Sequence, residues 1–262
     1  MSERIQMICG VYEQGNEDIR LTKSRQGQME YITSMEYIHR YAQPGAKVLE
    51  IGAGTGRYSI ALAKEGYQVE AVELVQHNLD ILQQNAGDLS TLTARQGDAL
   101  DLSCFADATF DVTLSFGPMY HLYEPADVHR ALEEALRVTK PGGVVLVAFL
   151  SVYAIMSNCY LNEGFLDGLR ENFTEDFTVR HYEEQVFTGY DIVEFEQLFT
   201  GKAVEHLTTA AADGVLELAC ERPDFVLSDE AFEQLVKLHL ATCEKREMLG
   251  MSSHLLYVGM KV

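Results

Sequence analysis

The sequence predicts an α/β fold, a Rossmann-like open sheet, mostly parallel and doubly wound by helices. Three observations lead there. Between residues 47 and 150, short apolar runs alternate with stretches of helical periodicity, the order that builds parallel strands joined by crossover helices. Runs such as Val144-Val-Leu-Val-Ala-Phe-Leu150 are apolar throughout, as strands covered on both faces must be. A glycine-rich turn, Gly52-Ala-Gly-Thr-Gly56, separates the first run from the first helical stretch.

The elements follow in order. Val48-Leu-Glu-Ile51 is the first expected strand, and a helix over 58–64 comes next. A strand over 68–73 leads to a helix over 77–84 with Leu79, Ile81 and Leu82 inward, then to a short strand near 91–95. Phe110-Asp-Val-Thr-Leu114 is the fourth strand. The helix expected over 125–138 places Val128, Ala131, Leu132 and Ala135 on one face, with Pro125 in its first turn. Pro141-Gly-Gly143 then stops the chain before the fifth strand, 144–150.

The flanks read differently. Residues 28–41 form a helix with Met29, Ile32, Met35 and Ile38 along one face. Residues 151–190 are aromatic and acidic with weak periodicity, and a helix is expected near 191–199. Ser228 is placed to cap a helix reaching about residue 247, and 252–261 suits a last strand. No Pro- or Ser-rich linker divides the chain. One domain is therefore expected over 1–262, with a helical lid at 1–45 and a core at 46–150. A lid insertion after the fifth strand, 151–190, would lie over the sheet edge, and 191–262 would complete the sheet.

Composition excludes several functions. Twenty basic against forty acidic residues give a net charge of −20, which disfavours nucleic acid and anionic membranes as partners. The excess is greatest in residues 151–262, with eight basic and twenty acidic side chains. The five cysteines are scattered without a CxxC pair, and no basic-then-apolar leader or membrane-length apolar stretch is visible. Those features point to reduced thiols and a cytoplasmic location. No histidine spacing suggests a metal site.

The glycine turn follows a strand and opens a helix, the place where open α/β sheets bind ligands. Its spacing is G-x-G-x-G, and Glu50 stands two residues before Gly52. A carboxylate there repels a pyrophosphate but accepts hydrogen bonds from a cation. Glu73 ends the second strand, where it can take both ribose hydroxyls. Asp98, in Gly97-Asp98-Ala99, suits an exocyclic amine.

Five segments in order resemble the class I S-adenosylmethionine-dependent methyltransferases. They are Val48-Leu-Glu-Ile-Gly-Ala-Gly-Thr-Gly56, Val69-Glu-Ala-Val-Glu73, Gln96-Gly-Asp-Ala99, Phe110-Asp-Val-Thr-Leu114 and Arg137-Val-Thr-Lys-Pro-Gly-Gly143. The resemblance implies a seven-stranded sheet with its last strand antiparallel and S-adenosyl-L-methionine as cofactor. It implies that Glu50, Gly52, Ala53, Gly54, Gly56, Glu73, Leu74, Asp98, Ala99 and Ser115 border that cofactor. The segment 17–27 is similar to a stretch in a group of bacterial members of this family. Within it, Arg20 or Arg25 would pair the methionine carboxylate, the alternative being a solvated basic turn.

Methyl transfer from a sulfonium is an in-line displacement, so a base is needed only for a protonated nucleophile. In the family the end of the fourth strand faces the methyl group. Here it reads Ser115-Phe-Gly-Pro-Met-Tyr-His-Leu122, without the Asn-Pro-Pro-Tyr pattern of amino-methylating nucleic-acid enzymes. His121 is the candidate base and Tyr120 a candidate wall or hydrogen-bond donor, each against a structural alternative. Tyr153, Met156, Tyr160, Phe165, Phe173, Phe177 and Tyr182 would form an aromatic lid, or else simply pack. The expected partner is a small-molecule methyl acceptor. Rivals are a protein acceptor on the same fold, an NAD(P)-dependent oxidoreductase, and a non-catalytic cofactor-binding module. Oligomeric state is not readable from the sequence.

Overall fold

A computed structural model describes residues 3–13, 17–161, 163–182, 185–220 and 222–262; the expected insertion 151–190 thus includes three positions outside the described residues. Eight strands form one sheet: β1 (Lys47–Ile51), β2 (Gln68–Glu73), β3 (Leu92–Gln96), β4 (Phe110–Ser115), β5 (Thr139–Ser151), β6 (Gly189–Tyr190), β7 (Val204–Ala211) and β8 (His254–Lys261). Their order is β3-β2-β1-β4-β5-β8-β7, with the two-residue β6 paired to β5 off that path. Strands β1 to β5 are mutually parallel, whereas β8 runs antiparallel to both β5 and β7. The fold class is as the sequence predicts and the last strand is antiparallel as the resemblance implies, but the sheet has eight strands rather than seven because the short β6 adds to β5.

Alternation along each strand divides the core. Leu49 and Ile51 face one layer with Val72, Leu132 and Phe149. Val48 faces the other, with Tyr37, Ile38, Leu62 and Leu146. The helix Arg25–Tyr41 belongs to this second layer and starts three residues earlier than its apolar spacing indicates, because the Ser24 side chain accepts from Gly27 N and caps it. The helix Pro125–Val138 covers the first layer and ends directly at β5. The Pro141–Gly143 break expected before the strand lies inside it, where Gly142 at φ +75° absorbs the irregular pairing with β4.

Other boundaries moved for tertiary reasons. The helix capped by Ser228 is Asp229–Thr242 and stops short of 247. Its C-terminal Cys243 is buried beside the Tyr37 hydroxyl, and Ala211 N donates to its carbonyl, tying the helix end to β7. Two helices, Val152–Cys159 and Phe165–Asn172, occur where periodicity was weak. β7 and the N-terminal helix Glu3–Tyr12 were not expected as separate elements. No helix among the described residues is long and apolar enough to cross a membrane.

Candidate active site

The glycine turn is shaped by what it must pass. After Ile51, beside Val72 and Ser115, Gly52 N and Ala53 N both donate to the Val72 carbonyl, at 2.9 and 3.1 Å. Gly52 adopts φ +79°, and a Cβ there would stand 2.7 Å from the Phe116 carbonyl oxygen and 2.8 Å from Pro118 Cδ, so only glycine fits. Gly54 has φ +54°, but a Cβ on it would meet only the Glu17 side chain, at 3.5 Å. The space over Gly54 is thus open. The Glu73 carboxylate accepts from Gly54 N at 2.7 Å and from Val75 N at 2.8 Å, strapping the turn to the end of β2.

A cavity of 300 Å³ opens over this turn. Glu50, Gly52, Ala53, Gly54, Glu73, Leu74, Asp98 and Ala99 line it, as do Tyr120 and His121. Apolar walls come from Ile8, Val11, Leu150, Leu255 and Leu256. The structure therefore brings the carboxylates after β1, β2 and β3 and the segment after β4 around one space.

The charges inside are strongly perturbed. Burial pushes the Glu50 carboxyl up to about 8, with the Ser59 hydroxyl, which donates to it, opposing. Burial likewise raises Glu73 above the usual carboxylate range, opposed by the Val75 and Gly54 amides. His121 is driven down to about 4 by burial, although the Val186 carbonyl counters this. Its Nδ1 lies 2.7 Å from the Val186 carbonyl, an acceptor, so Nδ1 carries the proton. Nε2 then holds the lone pair, and the Tyr12 hydroxyl donates to it at 2.9 Å. Burial raises the Tyr120 phenol, and its ring lies 6.3 Å from His121 and 5.9 Å from His254.

Several expected site residues stand elsewhere. Arg25 is a correction: it does not line the cavity, and it donates to Gln28 and Asp229 while stacking on Phe232. Arg20 does line the cavity, but its fork is already engaged. It donates to Glu30 at 2.7 and 3.0 Å and to Glu17 at 3.0 Å, which commits three of its five N–H groups to carboxylates of the protein itself. Gly56 caps the helix Arg57–Lys64 with φ +89° and packs towards Leu82, away from the cavity. Ser115 is buried in β4 and does not line the cavity. The aromatic lid is corrected as well. None of its seven residues lines the cavity, because Met156 and Phe173 form a small core of their own with Val152, joined by Tyr160. From that segment, Phe187 reaches the cavity and packs on His121 at 5.0 Å.

Sequence reasoning missed Arg4, Tyr12, Glu30, Asp213 and His254. Arg4 donates to Asp98, and Arg4, Tyr12, Glu30 and His254 all line the cavity. His254 Nδ1 is 2.8 Å from Asp213 Oδ2 and 3.9 Å from Glu30 Oε2. These partners lie tens to hundreds of residues apart, so no local spacing signals them. Ligand atoms of Asp213, Glu217 and His254 come within 4.8 Å of one another. Asp213, however, accepts from Ser252 Oγ, Ser253 N, His254 N and Gln26 Nε2, which is a hydrogen-bonded cradle for a buried carboxylate.

Residues 49–147 match the family described as a methyltransferase domain. That stretch, over a third of the chain, is similar to class I S-adenosylmethionine-dependent methyltransferases. Among curated relatives, a demethylmenaquinone methyltransferase of Renibacterium salmoninarum is 41% identical over 111 residues, 42% of this chain and 44% of the relative. One from Thermobifida fusca is 36% identical over 147 residues, 55% of this chain and 58% of the relative. The chain spans about half the length of the curated relatives it matches. Two solved methyltransferases share the fold over most of the molecule. One from Methanosarcina mazei covers 86% of this chain and 97% of its own, with a TM-score of 0.58 at 17% identity. One from Thermotoga maritima covers 99% and 100%, with a TM-score of 0.59 at 14% identity. The donor set fits the cofactor of the family that residues 49–147 match. Acceptor oxygens of Glu73 and Asp98 stand at the ends of β2 and β3, and the space a Cβ would occupy on Gly54 is open.

Proposed function

We propose that this protein binds S-adenosyl-L-methionine in the cavity and transfers its methyl group to a small organic acceptor carrying an acidic hydroxyl. The observation that carries this reading is the state of His121. It is neutral at physiological pH, its tautomer is set by Val186, and its Nε2 lone pair already receives a phenolic hydroxyl, that of Tyr12.

Under this reading Glu73 takes the ribose hydroxyls and Asp98 the adenine amine. Glu50 takes the ammonium of the methionine portion. Gly52 and Gly54 let the backbone pass beneath. When bound, the cofactor supplies a methyl carbon already activated for displacement. The protein's work is then alignment and exclusion of water. An acceptor hydroxyl replaces that of Tyr12 on His121 Nε2, and its proton moves to Nε2 as the oxygen gains its new bond. Tyr120 and the apolar side chains of Ile8, Val11, Leu150 and Leu255 hold the acceptor body and keep water out.

Relatives named for demethylmenaquinone methylation support a small-molecule acceptor. The −20 charge supports a neutral one over a polyanion. A methyl-transfer screen over small phenols, enols, amines, thiols and carboxylic acids tests the reading. Transfer to phenols or enols, lost in His121→Ala, is the expected result. Transfer to amines alone would overturn the role given to His121.

A further inference from the structure

The methyltransferase reading leaves one pair unused: His254, which lines the cavity at the start of β8, and Asp213, buried behind it just after β7. Asp213 is fully enclosed. Its Oδ1 accepts from Ser252 Oγ at 2.6 Å and from the Ser253 and His254 backbone N–H groups at 3.0 and 3.2 Å. Its Oδ2 accepts from Gln26 at 2.8 Å and holds His254 Nδ1 at 2.8 Å. Burial alone would raise this carboxyl, yet the imidazole and these donors hold it below its usual range. Burial alone would lower His254, yet Glu30 and Asp213 raise it to about 9. The imidazole is thus protonated at neutral pH, with Nδ1 committed. Among the described residues Nε2 has no hydrogen-bond partner, and the ring lines the cavity against Tyr120 at 5.9 Å. A cavity facing a fixed N–H donor without a partner is built to receive an acceptor atom.

The surrounding charge decides what kind of atom. Glu17, Glu30, Asp213 and Glu217 are four carboxylates around two cations, Arg20 and His254. That surplus repels a second anion while leaving the donor intact.

Resting on the proposed function, we infer that His254, oriented by Asp213, fixes the methyl acceptor by donating Nε2–H to a neutral carbonyl oxygen. The acceptor would then carry two oxygens: a hydroxyl at His121 and a carbonyl at His254, the two imidazoles lying 6.3 and 5.9 Å from the Tyr120 ring.

Calorimetry on the full chain, with S-adenosylhomocysteine present, tests this with 2-acetonaphthone, 2-ethylnaphthalene and 2-naphthoate as probes. The ketone should bind about tenfold more tightly than the hydrocarbon, ~1.4 kcal/mol, the scale of one hydrogen bond to a charged donor. It should also bind more tightly than the carboxylate. His254→Phe should abolish the ketone's advantage and His254→Gln, which keeps an N–H donor, should restore part of it. Should His254→Phe fail to fold, the wild-type ¹⁵N-histidine spectrum carries the test: the His254 Nε2 resonance should move with the ketone and stay with the hydrocarbon. Equal binding of ketone and hydrocarbon, preference for the carboxylate, no ketone binding, or an unmoved resonance overturns the inference. Loss of S-adenosylhomocysteine binding by the wild type would instead overturn the methyltransferase reading, since probe binding to the cofactor-free protein is measured alongside.

Discussion

Arg4 donates from Nη2 to Oδ2 of Asp98, joining the N-terminal helix Glu3–Tyr12 to the turn after β3 across 94 residues of chain. The same helix sets the Tyr12 hydroxyl on His121. One short helix therefore touches both the Asp98 side and the His121 side of the cavity. Under the proposed function Arg4 competes with the adenine amine for Asp98. Arg4→Ala should tighten S-adenosylhomocysteine binding about fivefold, the order of one partly exposed ion pair, ~1 kcal/mol. Unchanged or weaker binding in calorimetry would contradict the competition.

Glu50 links pH to both stability and binding. Its carboxyl titrates near 4.5 when solvated and at about 8 in the fold. The folded state thus holds a proton that the unfolded chain has released. Stability from this group is full below pH 4.5 and declines as pH rises through about 8. Glu50→Gln should raise Tm at pH 8 by several degrees and flatten its pH dependence. The same variant should weaken S-adenosylhomocysteine binding about tenfold or more, because a charge-assisted hydrogen bond to the ammonium is lost. Differential scanning fluorimetry across the pH range reads both. A lower Tm for Glu50→Gln would show that burial is not what perturbs this group.

His121 should separate chemistry from binding. His121→Ala is expected to lower kcat about a hundredfold, the low end for removal of a general base, with S-adenosylhomocysteine affinity unchanged. Tyr12→Phe removes the hydroxyl that occupies Nε2 and should not lower kcat. A comparable loss from both substitutions would make the Tyr12–His121 hydrogen bond structural.

The two glycines of the turn should fail differently. Gly52→Ala drives a Cβ into the Phe116 carbonyl and Pro118, costing about 2–3 kcal/mol of stability. Gly54→Ala meets open space apart from its positive φ, so Tm should fall by less while cofactor affinity drops more. Equal effects on stability would contradict this division.

The core strands and the helices between them were legible because their signals are local: apolar runs, helical spacing, and glycines after a strand. Glu50, Glu73 and Asp98 were legible for the same reason, each ending or following a strand at the ligand edge. Arg20 was recognised as a fork of donors, but its carboxylate partner Glu30 lies ten residues on in the next helix, Arg25–Tyr41, on a face that reads as ordinary helix surface. His254 and Asp213 meet across 41 residues through the pairing of β7 with β8, and no spacing rule anticipates that. The aromatic stretch 151–190 misled because composition does not distinguish a lid from a satellite core. Helices Val152–Cys159 and Phe165–Asn172 bury Met156 and Phe173 against each other and leave Phe187 to the cavity.

Under the proposed function the cavity over Gly52–Gly54 is a binding site for S-adenosylmethionine. Thermal shift with S-adenosylhomocysteine and with NADH, on the wild type and on Asp98→Asn, tests it most directly. Ligand that binds only the folded state raises Tm by mass action, about 2.7 kcal/mol at a hundredfold excess over Kd. Stabilisation by S-adenosylhomocysteine, none by NADH, and a smaller shift in Asp98→Asn are the expected results. Stabilisation by NADH alone, or no shift with S-adenosylhomocysteine, would contradict it.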